Sequence, residues 1–279
     1  MLYLSKVIYY YLDIVTKGFN MHQKSTRREF LAKSALVVSA SLIAANAVEA
    51  ASKPRRVIVW SEATVKNDFY LHDINEGIAL GLKPLKGWEV LTANITQPDQ
   101  GLSEELLNSA TVLIWWGHQK HGEVKDELVE RICNRVRKEG MGFIATHSSH
   151  FSKPFQKLVE GSGSWGAYVD DGAKLDVIVS LPRHPIAKGV KNFSSPKTER
   201  YSEKFDVPEP EAVVFDGVYT LANGTKEKAR QGLCWSRGKG RLFYYQPGHE
   251  SYDMYLQPEN QLIFRNAVLW AAAGSGKKG

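Results

Sequence analysis

Five of the eight histidines follow directly on short runs of β-branched or aromatic residues: His118 and His121 in WWGHQKH, His147 and His150 in THSSH, and His249 in YYQPGHE. Imidazole binds divalent metals and moves protons near neutral pH, so imidazoles that meet in one place have two natural uses: holding an ion, zinc above all, or general acid–base chemistry. A single histidine behind a strand is ordinarily a hydrogen-bonded surface residue; three at corresponding strand ends are a different matter. His118, His147 and His249 are the expected metal ligands, with Glu250 or a water completing the shell. His147, His249 and Glu250 are the expected proton-moving groups. His121 and His150 each lie three residues past a neighbour, which on a helical turn places both on one face, and they are reserve contacts for a substrate. His72 opens an amphipathic stretch and His184 sits between prolines in PRHPIAKGV, so capping or packing is expected of both. Ser148 is the available nucleophile, but no Gly-x-Ser-x-Gly turn surrounds it.

For these side chains to converge, the strands before them must be neighbours in one sheet. Strand-like runs fall at residues 56–60, 88–93, 111–116 and 142–146, with amphipathic helical stretches at 73–82, 104–109 and 123–138 between them. That alternation implies βαβ units and a parallel sheet, whose binding sites collect beyond the carboxyl ends of the strands. The third helix has the clearest pattern: Val124, Leu128, Ile132 and Val136 recur every four residues, Val129 and Cys133 lie beside them, and Lys125, Glu130 and Lys138 face away. Further strands are expected at 175–180, 212–215, 231–236 and 241–246, the last two joined by a glycine-rich hairpin, with a closing helix at 259–273. The fold class expected is α/β: a flavodoxin-like, mostly parallel sheet flanked by helices, in a single domain over 55–273.

Hydrophobic residues make up 43% of the 279 and charged residues 24%, which excludes a disordered or multi-span membrane chain. The net charge of +6 shrinks to +2 once residues 1–47 are set aside, too little for a nucleic-acid partner. From Met21 the sequence MHQKSTRREFLAKSALVVSASLIAANAVEA pairs Arg27 and Arg28 ahead of a modest apolar run. This is the pattern of a twin-arginine export signal over 21–50, cleaved after Ala47 or Ala50. The run is too short and too rich in Ala and Ser for a stable membrane span. Residues 1–20 fit no signal pattern and are expected to be a mis-called extension; residues 274–279 are expected to be a flexible tail, without the spacing of a phosphate loop and hence without a nucleotide cofactor. Export of the folded chain leads to a periplasmic or other extracytoplasmic location and is compatible with a cofactor loaded beforehand. Cys133 and Cys234 show no metal or redox spacing and are expected as free buried thiols. No motif reports a partner protein, and a homo-oligomer remains open.

The segments 101–129, 140–155 (GMGFIATHSSHFSKPF), HPIAKGV, EKFDVPEP and 240–259 (GRLFYYQPGHESYDMYLQPE), in order and with sensible spacing, resemble the ThuA-like, trehalose-utilisation family. That resemblance implies a fold similar to class I glutamine amidotransferases and a role in using trehalose or related disaccharides through 3-keto intermediates. Such amidotransferases carry a cysteine nucleophile on the turn after a central strand. Here His147 holds that place, while Gln246-Pro247-Gly248-His249-Glu250 resembles their surviving His and acidic positions. Cysteine amide transfer is therefore disfavoured, and metal binding or acid–base work on a sugar is favoured. The chain departs from the family pattern at Asn75, where a histidine is common, and in GSGSW (161–165), where a cysteine is.

With a small carbohydrate as the implied substrate, Glu199, Tyr201 and Glu203 are expected to contact sugar hydroxyls, and Trp165 to be a mobile ring against the sugar face. Trp115, Trp116, Tyr244, Tyr245 and Tyr252 flank the site, but adjacent Trp115 and Trp116 must point to opposite sides, so at least one is core. Two rivals remain at this level: a non-catalytic sugar-binding accessory protein, and a hydrolase using Ser148.

Overall fold

The computed structural model describes residues 55–274; the expected export signal and the tail beyond Gly274 lie outside them. Nine strands form one sheet: β1 (Arg55–Ser61), β2 (Trp88–Asn94), β3 (Val112–Trp116), β4 (Gly142–Thr146), β5 (Ala167–Val179), β6 (Phe193–Ser202), β7 (Ala212–Thr220), β8 (Lys226–Arg237) and β9 (Gly240–Tyr245). Their order is β2-β1-β3-β4-β9-β8-β7-β5-β6. From β2 to β9 neighbouring strands run parallel, and from β9 to β6 they run antiparallel, so the sheet is mixed.

Among the described residues, five α-helices flank it: α1 (Ile74–Leu82), α2 (Glu104–Ser109), α3 (Asp126–Glu139), α4 (Lys153–Val159) and α5 (Pro258–Ala271). Helix α1 packs with α5, and α3 with α4. All residues of β3 and β4 are buried, which requires cover on both faces. Local chemistry marks the helix ends. Asp73 caps α1 and Ser103 caps α2 by accepting backbone N–H groups, and Gly140, at φ 85°, ends α3 in the left-handed conformation that glycine adopts without penalty. Buried Leu128, Val129, Ile132, Cys133 and Val136 form the inner stripe of α3, as its periodicity predicts. Cys133 and Cys234 are free and buried. No helix among the described residues is long and apolar enough to cross a membrane.

The antiparallel half is more extensive than the sequence suggests. Strand β6 reads FSSPKTERYS, a polar run with a proline that resembles a loop. It is the outermost strand of the sheet, where one edge needs no partner and a missing N–H is tolerated. Strand β5 starts well before residue 175; its first half, AYVDDG, is polar and only partly buried, and its pairing with β6 is interrupted by register shifts.

Candidate functional site

Thr146 pairs with Trp116 on one side and Tyr245 on the other, so β3, β4 and β9 end level. The loops leaving those three ends bring His118, His147 and His249 together. The His249 ring lies 5.5 Å from that of His118 and 5.4 Å from that of His147, centroid to centroid. His147 sits at φ 48°, in the left-handed region, on the sharp turn from β4 into a short helical turn. A non-glycine residue is held there only when its surroundings enforce it. Here Tyr244 Oη donates to the His147 carbonyl at 2.9 Å, and the Gln246 carbonyl accepts from His147 Nδ1 at 2.9 Å. The loop carrying His249 turns at Gly248 (φ 135°), where a Cβ would overlap the Tyr255 hydroxyl.

Edge strand β6 adds two groups from the other half of the sheet. Glu199 Oε2 lies 2.8 Å from His147 Nε2 and 3.8 Å from His249 Nε2. Tyr201, fully buried, places its hydroxyl 2.9 Å from His147 Nε2 and 3.0 Å from Ser148 Oγ. Glu250 completes the cluster, with Oε1 3.4 Å from His118 Nε2 and Oε2 3.7 Å from His249 Nε2. Burial pushes the Glu199 carboxyl up, but hydrogen bonding and charge from His147, with His249 and Tyr201 adding to them, outweigh it and hold the carboxyl at about 2. Burial, then the neighbouring His147, lowers His249 against the opposing pull of Glu250 and Glu199. His249 is thereby favoured as a neutral ring.

Hydrogen-bond partners fix two of the ring protons. A backbone carbonyl only accepts, so His147 donates from Nδ1 to Gln246, while its Nε2 faces both the Glu199 carboxylate and the Tyr201 hydroxyl. Tyr201 Oη, Ser148 Oγ and His118 Nδ1 continue a line of side-chain hydrogen bonds, the last at 2.8 Å. His118 Nε2 faces Glu250 Oε1. His249 Nδ1 accepts the Ser251 backbone N–H at 3.2 Å, which leaves its proton on Nε2, aimed between the two carboxylates. His118 Nε2 and His249 Nε2 thus face one another across Glu250.

Two groups, His118-His249-Glu250 and His147-Glu199-His249, have ligand atoms within 4.8 Å of one another, close enough to hold a metal ion. Glu250 Oε2 is buried without a hydrogen-bond partner, as an oxygen awaiting a cation would be. Set against this, Tyr201 and Glu199 already engage His147 Nε2, and His249 would have to move its proton from Nε2 and release Ser251 before ligating.

Other expected contacts fall elsewhere. Trp165 is 5% exposed and stacked on Phe205 at 4.1 Å, so it is a core ring and not a mobile one. His150 is buried, bonded through Nδ1 to the Gly163 carbonyl, and lowered to about 3 chiefly by burial, so it lies inside the fold and not at its surface. Glu203 forks onto Arg230 and caps the Phe205 N–H, tying β6 to β8 instead of facing the cluster. His121 places its Nδ1 3.5 Å from Glu62 Oε1. Both Trp115 and Trp116 are fully buried, as are Tyr244 and Tyr245, leaving half-buried Tyr252 as the ring beside His249. His184 caps a short turn, as its prolines suggest, and Asn75 donates inward to the Val59 and Ala93 carbonyls.

One residue escaped the sequence reading. Glu62, fully buried just past β1, accepts the backbone N–H groups of His118, Gln119 and Lys120 on a single oxygen, at 2.9, 2.6 and 2.8 Å, and so holds the loop that carries His118. Its position directly behind a strand was the available signal.

Comparison with known proteins follows the same lines. The family model described as ThuA, trehalose utilisation, matches residues 56–271. A ThuA-like protein from Bacteroides uniformis is similar in structure, with a TM-score of 0.55 and 18% identity over 78% of this chain and 91% of that one. An exo-β-1,4-mannosidase from Opitutaceae bacterium strain TAV5 aligns with a TM-score of 0.43 and 13% identity over 84% of this chain and 38% of that one. A glutamine amidotransferase from Thermotoga maritima aligns with a TM-score of 0.46 and 10% identity over 78% and 98%. Among curated protein sequences, none matches.

Proposed function

From the premise that the chain belongs to the ThuA, trehalose-utilisation, family, we propose that it is an exported enzyme performing acid–base chemistry on a neutral disaccharide such as trehalose, or on its 3-keto derivative. The observation that carries this reading is the pair of opposed imidazole atoms: His118 Nε2 and the proton-bearing His249 Nε2, on either side of Glu250. On a keto sugar, His118 takes the proton next to the carbonyl, and His249, kept neutral, donates a hydrogen bond to the carbonyl oxygen as negative charge develops there. The electron pair of the broken C–H bond forms the new C=C as the glycosidic C–O bond breaks, and the departing oxygen takes up a proton. Glu250 orients both rings. Tyr252 provides an aromatic surface beside His249 for the sugar face. The paired arginines at 27 and 28 support export by the twin-arginine route to an extracytoplasmic compartment.

Metal assistance is the second reading, favoured by the unpartnered oxygen of Glu250. His118, His249 and Glu250, or His147, His249 and Glu199, would hold the ion, and imidazole with carboxylate suits zinc. When bound, a divalent ion polarises a carbonyl or hydroxyl oxygen. A serine hydrolase is less well supported, because Ser148 is 4% exposed and its hydroxyl is engaged by both His118 and Tyr201.

The test combines metal analysis by mass spectrometry with turnover of trehalose and its 3-keto derivative, on protein purified without a histidine tag or chelator. Turnover that survives chelation and is lost in His118→Ala and His249→Ala supports the acid–base reading. Near-stoichiometric metal lost in His249→Ala moves the assignment to the second. Sugar binding without turnover, unchanged in both variants, would make the protein a binding accessory.

A further inference from the structure

Strand β5 pairs Val169 with Arg200 and Ala173 with Thr198, so residues 170–172 stand opposite Glu199 alone. The extra residues make the strand bulge beside the carboxylate that reaches His147. Gly172, at φ 65°, takes the left-handed turn that returns the chain to the ladder. The faces are fixed by the pairs before the bulge. Tyr168 pairs with Tyr201, which faces His147, and Asp170, two residues on, shares that face. Asp171 turns the other way and receives Arg200 Nε at 2.9 Å.

Asp170 has one partner, and it comes from the loop after β9. Tyr252 Oη donates to Asp170 Oδ1 at 2.6 Å, and the Tyr252 ring lies 6.0 Å from that of His249. Asp170 is exposed and Tyr252 half-buried, so the pair bridges the two halves of the sheet at the surface beside the histidines. The tyrosine is held from behind: its N–H donates to the His249 carbonyl at 3.2 Å, and its carbonyl accepts from Tyr70 Oη at 3.0 Å. Space remains around the bridge. A Cβ on Gly172 would meet only the Tyr252 hydroxyl within 4 Å, at 3.8 Å.

We propose that Asp170 and Tyr252 form a subsite for the second ring of a disaccharide, in which the Asp170 carboxylate accepts from two neighbouring hydroxyls of that ring. This rests on the acid–base reading above, which places the reacting ring between His118 and His249. With the phenol proton on Oδ1, Asp170 Oδ2 and the phenol oxygen are both acceptors, a row that matches the two donors of a vicinal diol. Hydrogen bonds to an ionised acceptor are the stronger kind, and the Tyr252 ring offers an apolar face to the sugar C–H groups. Asp170 adds a carboxylate to those of Glu199 and Glu250, so a ring bearing a phosphate or an acid is repelled and a neutral one is accepted. The bulge thereby selects for a substrate with two rings.

The test uses Asp170→Ala and Asp170→Asn. Asparagine keeps an oxygen for the Tyr252 hydroxyl, so it would rescue a role confined to holding that ring, but it replaces the charged acceptor of the diol. The first readout is independent of turnover: calorimetric binding of trehalose, with methyl α-glucoside as the one-ring probe. Wild type should bind trehalose more tightly than the glucoside. Both variants should weaken trehalose binding by roughly tenfold, leave the glucoside unchanged and melt with the wild type, because Asp170 is exposed. Full recovery in Asp170→Asn, equal losses on both sugars, or no preference for trehalose in the wild type would overturn the subsite.

The second readout is turnover of the 3-keto derivatives of the same two sugars. Asp170→Asn should raise KM for the disaccharide by roughly tenfold with kcat nearly kept, and should change neither constant for the glucoside. A fall in kcat on both substrates would overturn the subsite by making Asp170 part of the reacting site. Absence of turnover in the wild type would defeat the acid–base reading, and the binding comparison alone would then decide whether the subsite exists.

Discussion

Glu199 meets His147 from the opposite half of the sheet, with its Oε2 2.8 Å from the imidazole Nε2. The contact joins the edge of the antiparallel half to the turn at the end of a central parallel strand, and it has a measurable signature in acid. The carboxyl titrates at about 2 in the fold against an ordinary value of 4.5, so its contribution is complete above pH 4.5 and is lost as pH falls towards 2. Glu199→Gln should lower stability at pH 7 by on the order of 2 kcal/mol. Thermal unfolding from pH 7 to pH 2 should show the two proteins converging at the acid end; parallel curves would contradict the pairing.

His150 gives a second pH dependence of different origin. Burial, with a smaller push from His147, lowers it from 6.5 to about 3, so the fold excludes a proton that the unfolded chain accepts. The stability this confers is present above pH 6.5 and is withdrawn as pH falls from there towards 3. His150→Asn should lower the melting temperature at pH 8 through lost packing, yet flatten its decline between pH 6.5 and 4. A decline as steep as that of the wild type would assign the acid sensitivity to other groups.

The parallel half of the fold and the meeting of His118, His147 and His249 were legible because strands β3, β4 and β9 announce themselves as apolar runs and each is followed within a few residues by a histidine. The antiparallel half was less so. Pro196 and the charges of β6 look like a loop until its edge position is known, and with the strand unrecognised, the alternation that places Glu199 and Tyr201 on one face was hidden. Trp165 misled for a related reason: a glycine-rich neighbourhood suggests mobility, but Phe205 lies flat against the ring.

That difference separates two aromatic substitutions. Trp165→Ala should destabilise the protein by about 3–5 kcal/mol, as for removal of a large core ring, without a specific effect on sugar binding in the protein that remains folded. Tyr252→Ala, at a half-buried ring beside His249, should cost little stability and weaken sugar binding by roughly tenfold, about 1.4 kcal/mol. Denaturant titration and calorimetric binding on the same samples separate the two. The reverse pattern would return Trp165 to the binding surface.

Glu62 holds three consecutive backbone N–H groups on one oxygen. Glu62→Ala should cost on the order of 3 kcal/mol, since three buried donors lose a charged acceptor, while Glu62→Gln should recover much of that through its amide oxygen. Proton exchange at the amides of His118, Gln119 and Lys120 should accelerate in the alanine variant ahead of exchange in β3. Equal protection in both variants would mean that the loop is held by other contacts.

The electrical character of the histidine cluster is decided by strand register. Along β6 the order is Glu199, Arg200, Tyr201, and neighbours in a strand point to opposite faces. As built, the acid and the phenol turn inward, while Arg200 turns away to ion pairs with Asp171 and Glu227. A slip of one residue on β5 would exchange these faces and drive a guanidinium among three imidazoles, replacing attraction by repulsion. The irregular pairing of β5 with β6, shifted between Val169 and Ala173 and again between Ala173 and Leu175, makes such a slip hard to accommodate. What looks like a ragged edge of the sheet is thus a lock on the sign of the charge that an incoming molecule meets.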